Sequence, residues 1–77
     1  MPKSVFTDRY RRLLDALVQA RQSKGLTQAQ VGKRLGQDQT FVSKYERGVR
    51  RLDVVEFLDV SEALGIDPIR LLRRVRK

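Results

Sequence analysis

Apolar residues recur along this chain at helical spacing, and nowhere do apolar and polar positions alternate long enough to make a strand. Tyr10, Leu13, Leu14, Leu17 and Val18 follow i, i+3, i+4, i+7, i+8, which puts one apolar stripe on a helix over 8–24. Thr7 is its expected N-cap and Gly25 its expected stop. One turn past Leu17 on that stripe stands Arg21, a charge in a core position, which requires a partner. A second helix starts at Thr27, where Thr27-Gln28-Ala29-Gln30 reads as a capping box and Leu26 with Val31 as a hydrophobic staple. It turns Val31 and Leu35 inward and stops at Gly36, roughly two and a half turns on, too short to stand without packing.

The third helix is predicted from Gln39 to Arg47, capped by Asp38 and ended by Gly48. Phe41, Val42 and Tyr45 form its apolar side, assigned to the core or its margin, with Glu46 at the edge. Gln39, Thr40, Ser43, Lys44 and Arg47 form the other side, all hydrogen-bonding or positive. A fourth helix, Val54–Leu64, has Asp53 as cap, Glu56 at the reciprocal position and a Leu52–Phe57 staple, and ends at Gly65. A fifth follows Asp67, with Pro68 at the first helical position and Ile66 stapled to Leu71. Caps, staples and stops agree, so the expected fold class is all-α: a compact five-helix domain.

Seventy-seven residues allow one small domain, here 1–77, with 1–6 and 73–77 expected as flexible ends. Neither cysteine nor histidine occurs, which removes disulfides, zinc–thiolate sites and the commonest general base. No long uncharged stretch spans a membrane and no apolar leader opens the chain, so a soluble, cytoplasmic binding domain is expected rather than an enzyme. Neither metal nor cofactor is expected.

The net charge of +8 is uneven. Residues 1–51 carry twelve Lys/Arg and four Asp/Glu, or +8; residues 52–66 carry four acids and no base, or −4; residues 67–77 carry five bases and one acid, or +4. A basic first two-thirds suits a polyanion, whether DNA, RNA or an acidic membrane. The acidic fourth helix reads as a solvated face turned away from that polyanion, or as a surface for a basic protein partner.

Arg21, Gly25-Leu26-Thr27-Gln28, the Gly36 turn and Ser43-Lys44-Tyr45-Glu46-Arg47-Gly48 resemble the helix-turn-helix of phage-repressor-like transcription factors, the Cro/C1-type or Xre family. The resemblance extends over about residues 9–72 and implies a lambda-repressor-like domain. It implies a double-stranded-DNA-binding regulator, most often a repressor, whose second motif helix lies in the major groove. On that reading Gln39 and Thr40 contact bases, Gln39 by gripping adenine and Thr40 by touching a thymine methyl. Lys44 reaches a guanine or a phosphate. Gln28, Ser43, Arg47, Arg50 and Arg51 hold phosphates, which fix register without carrying sequence; a solvated basic loop is the plain alternative for Arg50 and Arg51. The family pairs an arginine with a glutamate at the positions of Arg21 and Glu46, implying a partly buried ion pair between the first and third helices.

Such proteins usually bind inverted-repeat operators as homodimers. Ile69, Leu72 and Val75 offer a dimer surface, or else close the core. The main rival reading is a DNA-binding antitoxin or accessory module that acts with a protein partner.

Overall fold

The computed structural model describes residues 7–76; the expectation of flexibility at residues 1–6 and at Lys77 falls outside them. Five α-helices and no strand occur among the described residues: α1 (Asp8–Ser23), α2 (Gln28–Leu35), α3 (Gln39–Glu46), α4 (Val54–Leu64) and α5 (Pro68–Arg76). Thr7, Thr27, Asp38 and Asp53 all cap through a side-chain oxygen, and Thr27 with Gln30 and Asp53 with Glu56 complete capping boxes. Each cap satisfies backbone N–H groups that the first helical turn leaves unpaired, typically worth about 1 kcal/mol. Asp67 Oδ1 accepts from the Ile69 amide at 2.9 Å, starting α5 behind Pro68.

The core is a single cluster centred on Leu14 and Leu17 of α1, Val31 of α2, Val42 and Tyr45 of α3, and Val60 and Leu64 of α4. Helices α2 and α3 have eight residues each and cannot persist alone. Burial of Val31, Val42 and Tyr45, at about 1.5–3 kcal/mol per side chain, supplies what their own hydrogen bonds do not. Helix α1 packs against α3, α4 and α5 and so forms the spine to which the α2–α3 pair is fixed.

Two backbone features set the angle between α2 and α3. Gly36 turns the chain in the left-handed region at φ 70°, where a side chain is disfavoured. Gly32, in the ordinary helix of α2, lies so close to the following turn that an added Cβ would stand 2.7 Å from the Asp38 carbonyl oxygen. The sequence shows Gly32 only as a glycine inside a helical pattern, with no stop to explain it.

Three boundaries differ from the sequence reading. Helix α1 ends at Ser23 with Lys24 as C-cap, and α3 ends at Glu46 with Arg47 as C-cap. Residues 73–76, expected as a loose end, form the last turn of α5. Val75 explains this: one turn after Leu71, it is buried, and the Arg12 Nη2 and Arg9 Nη2 groups of α1 donate to the Val75 and Arg76 carbonyls, each at 3.4 Å. Val75 therefore closes the core and leaves the expected dimer surface. Ile69 and Leu72 stay exposed, at 55% and 42%.

Candidate nucleic-acid interface

Helix α3 shows two chemically different sides because its apolar residues fall at one helical spacing. Val42 and Tyr45 are buried and Phe41 is half-buried, packing edge-on against Tyr45 with ring centroids 5.7 Å apart. Gln39, Thr40, Lys44 and Arg47 are exposed, and Ser43 is half-buried. The side chains of Thr40 and Lys44 have no hydrogen-bond or ion-pair partner among the described residues. Arg47 folds back, its Nε donating to the Ser43 carbonyl at 3.3 Å, which fastens the end of the helix.

Behind that face runs a chain of polar contacts. Arg21 of α1 grips the Glu46 carboxylate through two bonds, Nε to Oε2 at 2.7 Å and Nη2 to Oε1 at 3.2 Å. Its third nitrogen, Nη1, donates to the Leu26 carbonyl at 2.9 Å. The two side chains are 14% and 6% exposed. Such a two-pronged guanidinium–carboxylate contact is directional and fixes orientation as well as charge. Gln28 then donates through Nε2 to Glu46 Oε1 at 2.9 Å and accepts at Oε1 from Gln39 Nε2 at 3.3 Å. Helix capping here belongs to Gln30, whose Oε1 accepts from the Thr27 amide at 2.8 Å. Gln28 links the ion pair to the first residue of α3.

The loop after α3 carries two more of the expected phosphate contacts, both engaged within the protein. Arg50 lies 4.9 Å from the centroid of the Phe41 ring and donates to Glu56 Oε2 at 2.5 Å. The hydrogen bond from Arg50, then that from the Asp53 amide, hold the Glu56 carboxyl below the usual range. Glu56 is therefore not merely part of a solvated acidic face; it restrains a loop cation, while Asp59 and Glu62 stay exposed. Arg51 stacks 4.0 Å over the Tyr10 ring, and the Tyr10 hydroxyl accepts from the Leu52 amide at 3.2 Å. The position of this loop is thus fixed from α1, through a Tyr10 that sequence patterning identifies only as a core residue.

Two further contacts are not legible in the sequence. Arg34 Nη1 donates to the Ala63 carbonyl at 2.8 Å and Lys24 Nζ to the Gly65 carbonyl at 3.3 Å, both at the C-terminal end of α4. Cations there meet the negative end of the helix dipole. Nothing in the sequence separates them from solvated charges.

The Tyr45 hydroxyl is buried without a hydrogen-bond partner among the described residues. Burial, and secondarily the neighbouring Glu46 charge, push the phenol well above its ordinary range, only partly countered by Arg21. Among the described residues no His/Cys/Asp/Glu group could hold a metal, and no helix is long and apolar enough to cross a membrane.

This geometry has counterparts among known proteins. A family model described as helix-turn-helix matches residues 17–71. An uncharacterized HTH-type transcriptional regulator, y4dJ of Sinorhizobium fredii, is 38% identical over 52 residues, covering 68% of each chain. Among solved structures, an XRE-family-like protein from Pseudomonas syringae pv. tomato superposes with a TM-score of 0.87 at 48% identity, covering 90% of this chain and 84% of the other. The restriction-modification controller protein C.AhdI from Aeromonas hydrophila gives 0.75 at 31% identity, covering 84% and 98%. The chain belongs to the Xre family of helix-turn-helix DNA-binding transcriptional regulators.

Proposed function

We propose that this protein is a sequence-specific repressor that lays α3 in the major groove of duplex DNA, working as a single 1–77 domain in the cytoplasm. The observation that carries this reading is the exposed polar start of α3, which the Gln39–Gln28–Glu46–Arg21 chain fastens to α1. Gln39 has hydrogen-bonding capacity left for an adenine edge, Thr40 a methyl for thymine, and Lys44 a free ammonium for guanine or phosphate. Gln28, Ser43, Arg47, Arg50 and Arg51 surround that helix and supply the backbone contacts. Arg50 reaches a phosphate by exchanging the Glu56 carboxylate for it.

One reading helix spans only about four base pairs, so the protein acts as a homodimer on an inverted repeat, with half-sites ~34 Å apart. The exposed Ile69 and Leu72 on α5 supply the pairing surface. Selection of binding sites from a random duplex library tests the whole reading, because it reports sequence, symmetry and spacing together. An inverted repeat is expected; recovery of no motif would sink it. On the selected site, Gln39→Ala should lose ~1–3 kcal/mol while random DNA is little affected. Arg50→Ala should weaken both about equally.

The exposed Val54, Val55 and Leu58 on acidic α4 favour a second reading, an antitoxin or accessory module whose partner covers that helix. Stoichiometric co-purification of a second chain that is lost on Leu58→Glu would favour this over a free-standing regulator.

A further inference from the structure

The basic charge of this protein does not stop at the helix-turn-helix. The first turns of α1 and the last turn of α5 meet at one pole of the molecule. Arg9 donates to the Arg76 carbonyl and Arg12 to the Val75 carbonyl, and Arg12 and Arg74 line the same shallow hollow of about 180 Å³. Six arginines therefore gather there, Arg9, Arg11, Arg12, Arg73, Arg74 and Arg76, against Asp8 and Asp15. A helix C-terminus attracts cations. Arg9 and Arg12 already satisfy that end of α5, yet Arg73, Arg74 and Arg76 are also exposed, and their guanidinium groups have no partner among the described residues. Three like charges in one turn repel one another, which offsets what they gain from the helix dipole.

The pole is continuous with the candidate DNA face. Tyr10 lies between Arg9 and Arg11 in sequence, carries Arg51 stacked on its ring and holds the Leu52 amide through its hydroxyl. Arg50, next in the same loop, lies against Phe41 of α3. A ridge of positive charge thus runs from α3 through the 50–52 loop and the start of α1 to the end of α5. It encloses no deep cavity, so a small anion would meet only part of it. A row of phosphates matches it.

We propose that this α1–α5 pole is a second backbone-binding surface for duplex DNA, engaging phosphates beyond those met by the helix-turn-helix, on the side of the 50–52 loop. The inference rests on the DNA reading above and extends its footprint. These contacts carry affinity and salt dependence without sequence preference.

The test uses the triple variant Arg73→Gln/Arg74→Gln/Arg76→Gln on a long duplex carrying the selected site, by fluorescence anisotropy across salt concentrations and by hydroxyl-radical footprinting. These side chains bond to nothing in the described fold, so circular dichroism and thermal midpoint should match the parent. The variant should keep the parent's ranking of binding sites. Its log K against log salt slope should be shallower by about 2, at roughly 0.9 for each phosphate that is no longer neutralised. The parent's advantage should therefore be about tenfold larger at 50 mM than at 200 mM salt. Protection should vanish along one run of backbone, adjoining the run that Arg51→Gln leaves unprotected. The triple Arg→Lys variant should restore the slope, since charge carries the effect. An unchanged slope and footprint in the glutamine variant would overturn the proposal, as would parent binding to phosphatidylglycerol vesicles as tight as to duplex. A parent that leaves no footprint at all would instead overturn the underlying DNA reading.

Discussion

Replacing Arg21 by methionine removes two hydrogen bonds from a carboxylate that is 6% exposed and leaves it Gln28 as donor. Breaking one side of a buried ion pair typically costs 3–5 kcal/mol, because the remaining charge stays desolvated. The surviving Gln28 bond puts Arg21→Met near the lower end, about 3 kcal/mol. Glu46→Leu should cost less, about 2 kcal/mol, since Arg21 keeps the Leu26 carbonyl and can turn its head toward water. Simple additivity would give ~5 kcal/mol for the pair of changes, a large share of the roughly 4–10 kcal/mol expected for a domain of this size. The double variant strands no charge and places two apolar side chains together, so about 1–2 kcal/mol is expected. Urea denaturation of the four proteins yields a coupling energy of about 3 kcal/mol on this reasoning. Additivity within ~0.5 kcal/mol would refute it. A second readout separates support from reading: the double variant remains folded but deprives Gln28 of its acceptor, so its discrimination between selected and random DNA should fall. Full discrimination in a folded double variant would show that the polar chain has no part in holding α3.

The other predictions concern single sites. Gly32→Ala gains up to ~1 kcal/mol of helix propensity but drives a Cβ into the Asp38 carbonyl, and the enforced backbone shift should outweigh that gain, leaving ~1–2 kcal/mol net loss in chemical denaturation and weaker DNA binding. Tyr45→Phe removes a buried hydroxyl that has no partner among the described residues, so at neutral pH its stability should equal or exceed the parent's by up to about 1 kcal/mol. The raised phenol in the parent contributes stability that is complete below the unfolded value near pH 10 and is lost as pH rises; from pH 9 to 11 the phenylalanine variant should gain about 1.4 kcal/mol relative to it. Glu56 has a lowered folded value, so its contribution is present above the ordinary carboxylate range and disappears as pH falls through the folded value; Glu56→Gln should flatten the acid limb of a thermal-melt pH series. Ile69→Lys with Leu72→Lys should abolish dimers in sedimentation yet leave the thermal midpoint nearly unchanged, whereas Val75→Lys should lower it sharply.

The helices are legible because each carries its own punctuation. Asp53 with Glu56, Thr27 with Gln30, and Asp38 before α3 state their roles within four residues, where local hydrogen bonding decides the outcome. Arg21 is legible as an anomaly, a charge on an apolar stripe, and the family resemblance supplies Glu46 as its partner. Contacts across long stretches of chain are not legible. The Tyr10 hydroxyl meets Leu52 42 residues away, and Arg34 meets Ala63 29 residues away, so the partner of each is set by packing. Val75 stays open between core and dimer surface because its stripe with Leu71 is only two residues long, too short to separate a core face from an exposed one. Gly32 is the reverse case: it bears no side chain, and its importance lies in what passes beside it.

Which cations are already engaged matters more to recognition than the total of +8. Arg21 and Arg50 answer carboxylates inside the fold, and Lys24, Arg34, Arg9 and Arg12 bond to carbonyls at the ends of α4 and α5. A phosphate approaching Arg50 must displace Glu56, so part of the attraction there offsets the loss of an existing bond. A phosphate approaching Lys44, Arg73, Arg74 or Arg76 breaks no bond among the described residues. Electrostatic attraction should therefore be strongest at α3's exposed side and at the α1–α5 pole, with the intervening loop held in place until DNA arrives. On the proposed DNA reading two tasks are separate: unpaired charges bring the polyanion in, while Arg21, through Glu46 and Gln28, holds Gln39 at the start of α3. Salt should weaken the first without loosening the second, so raising ionic strength should reduce affinity far more than it reduces discrimination between sites.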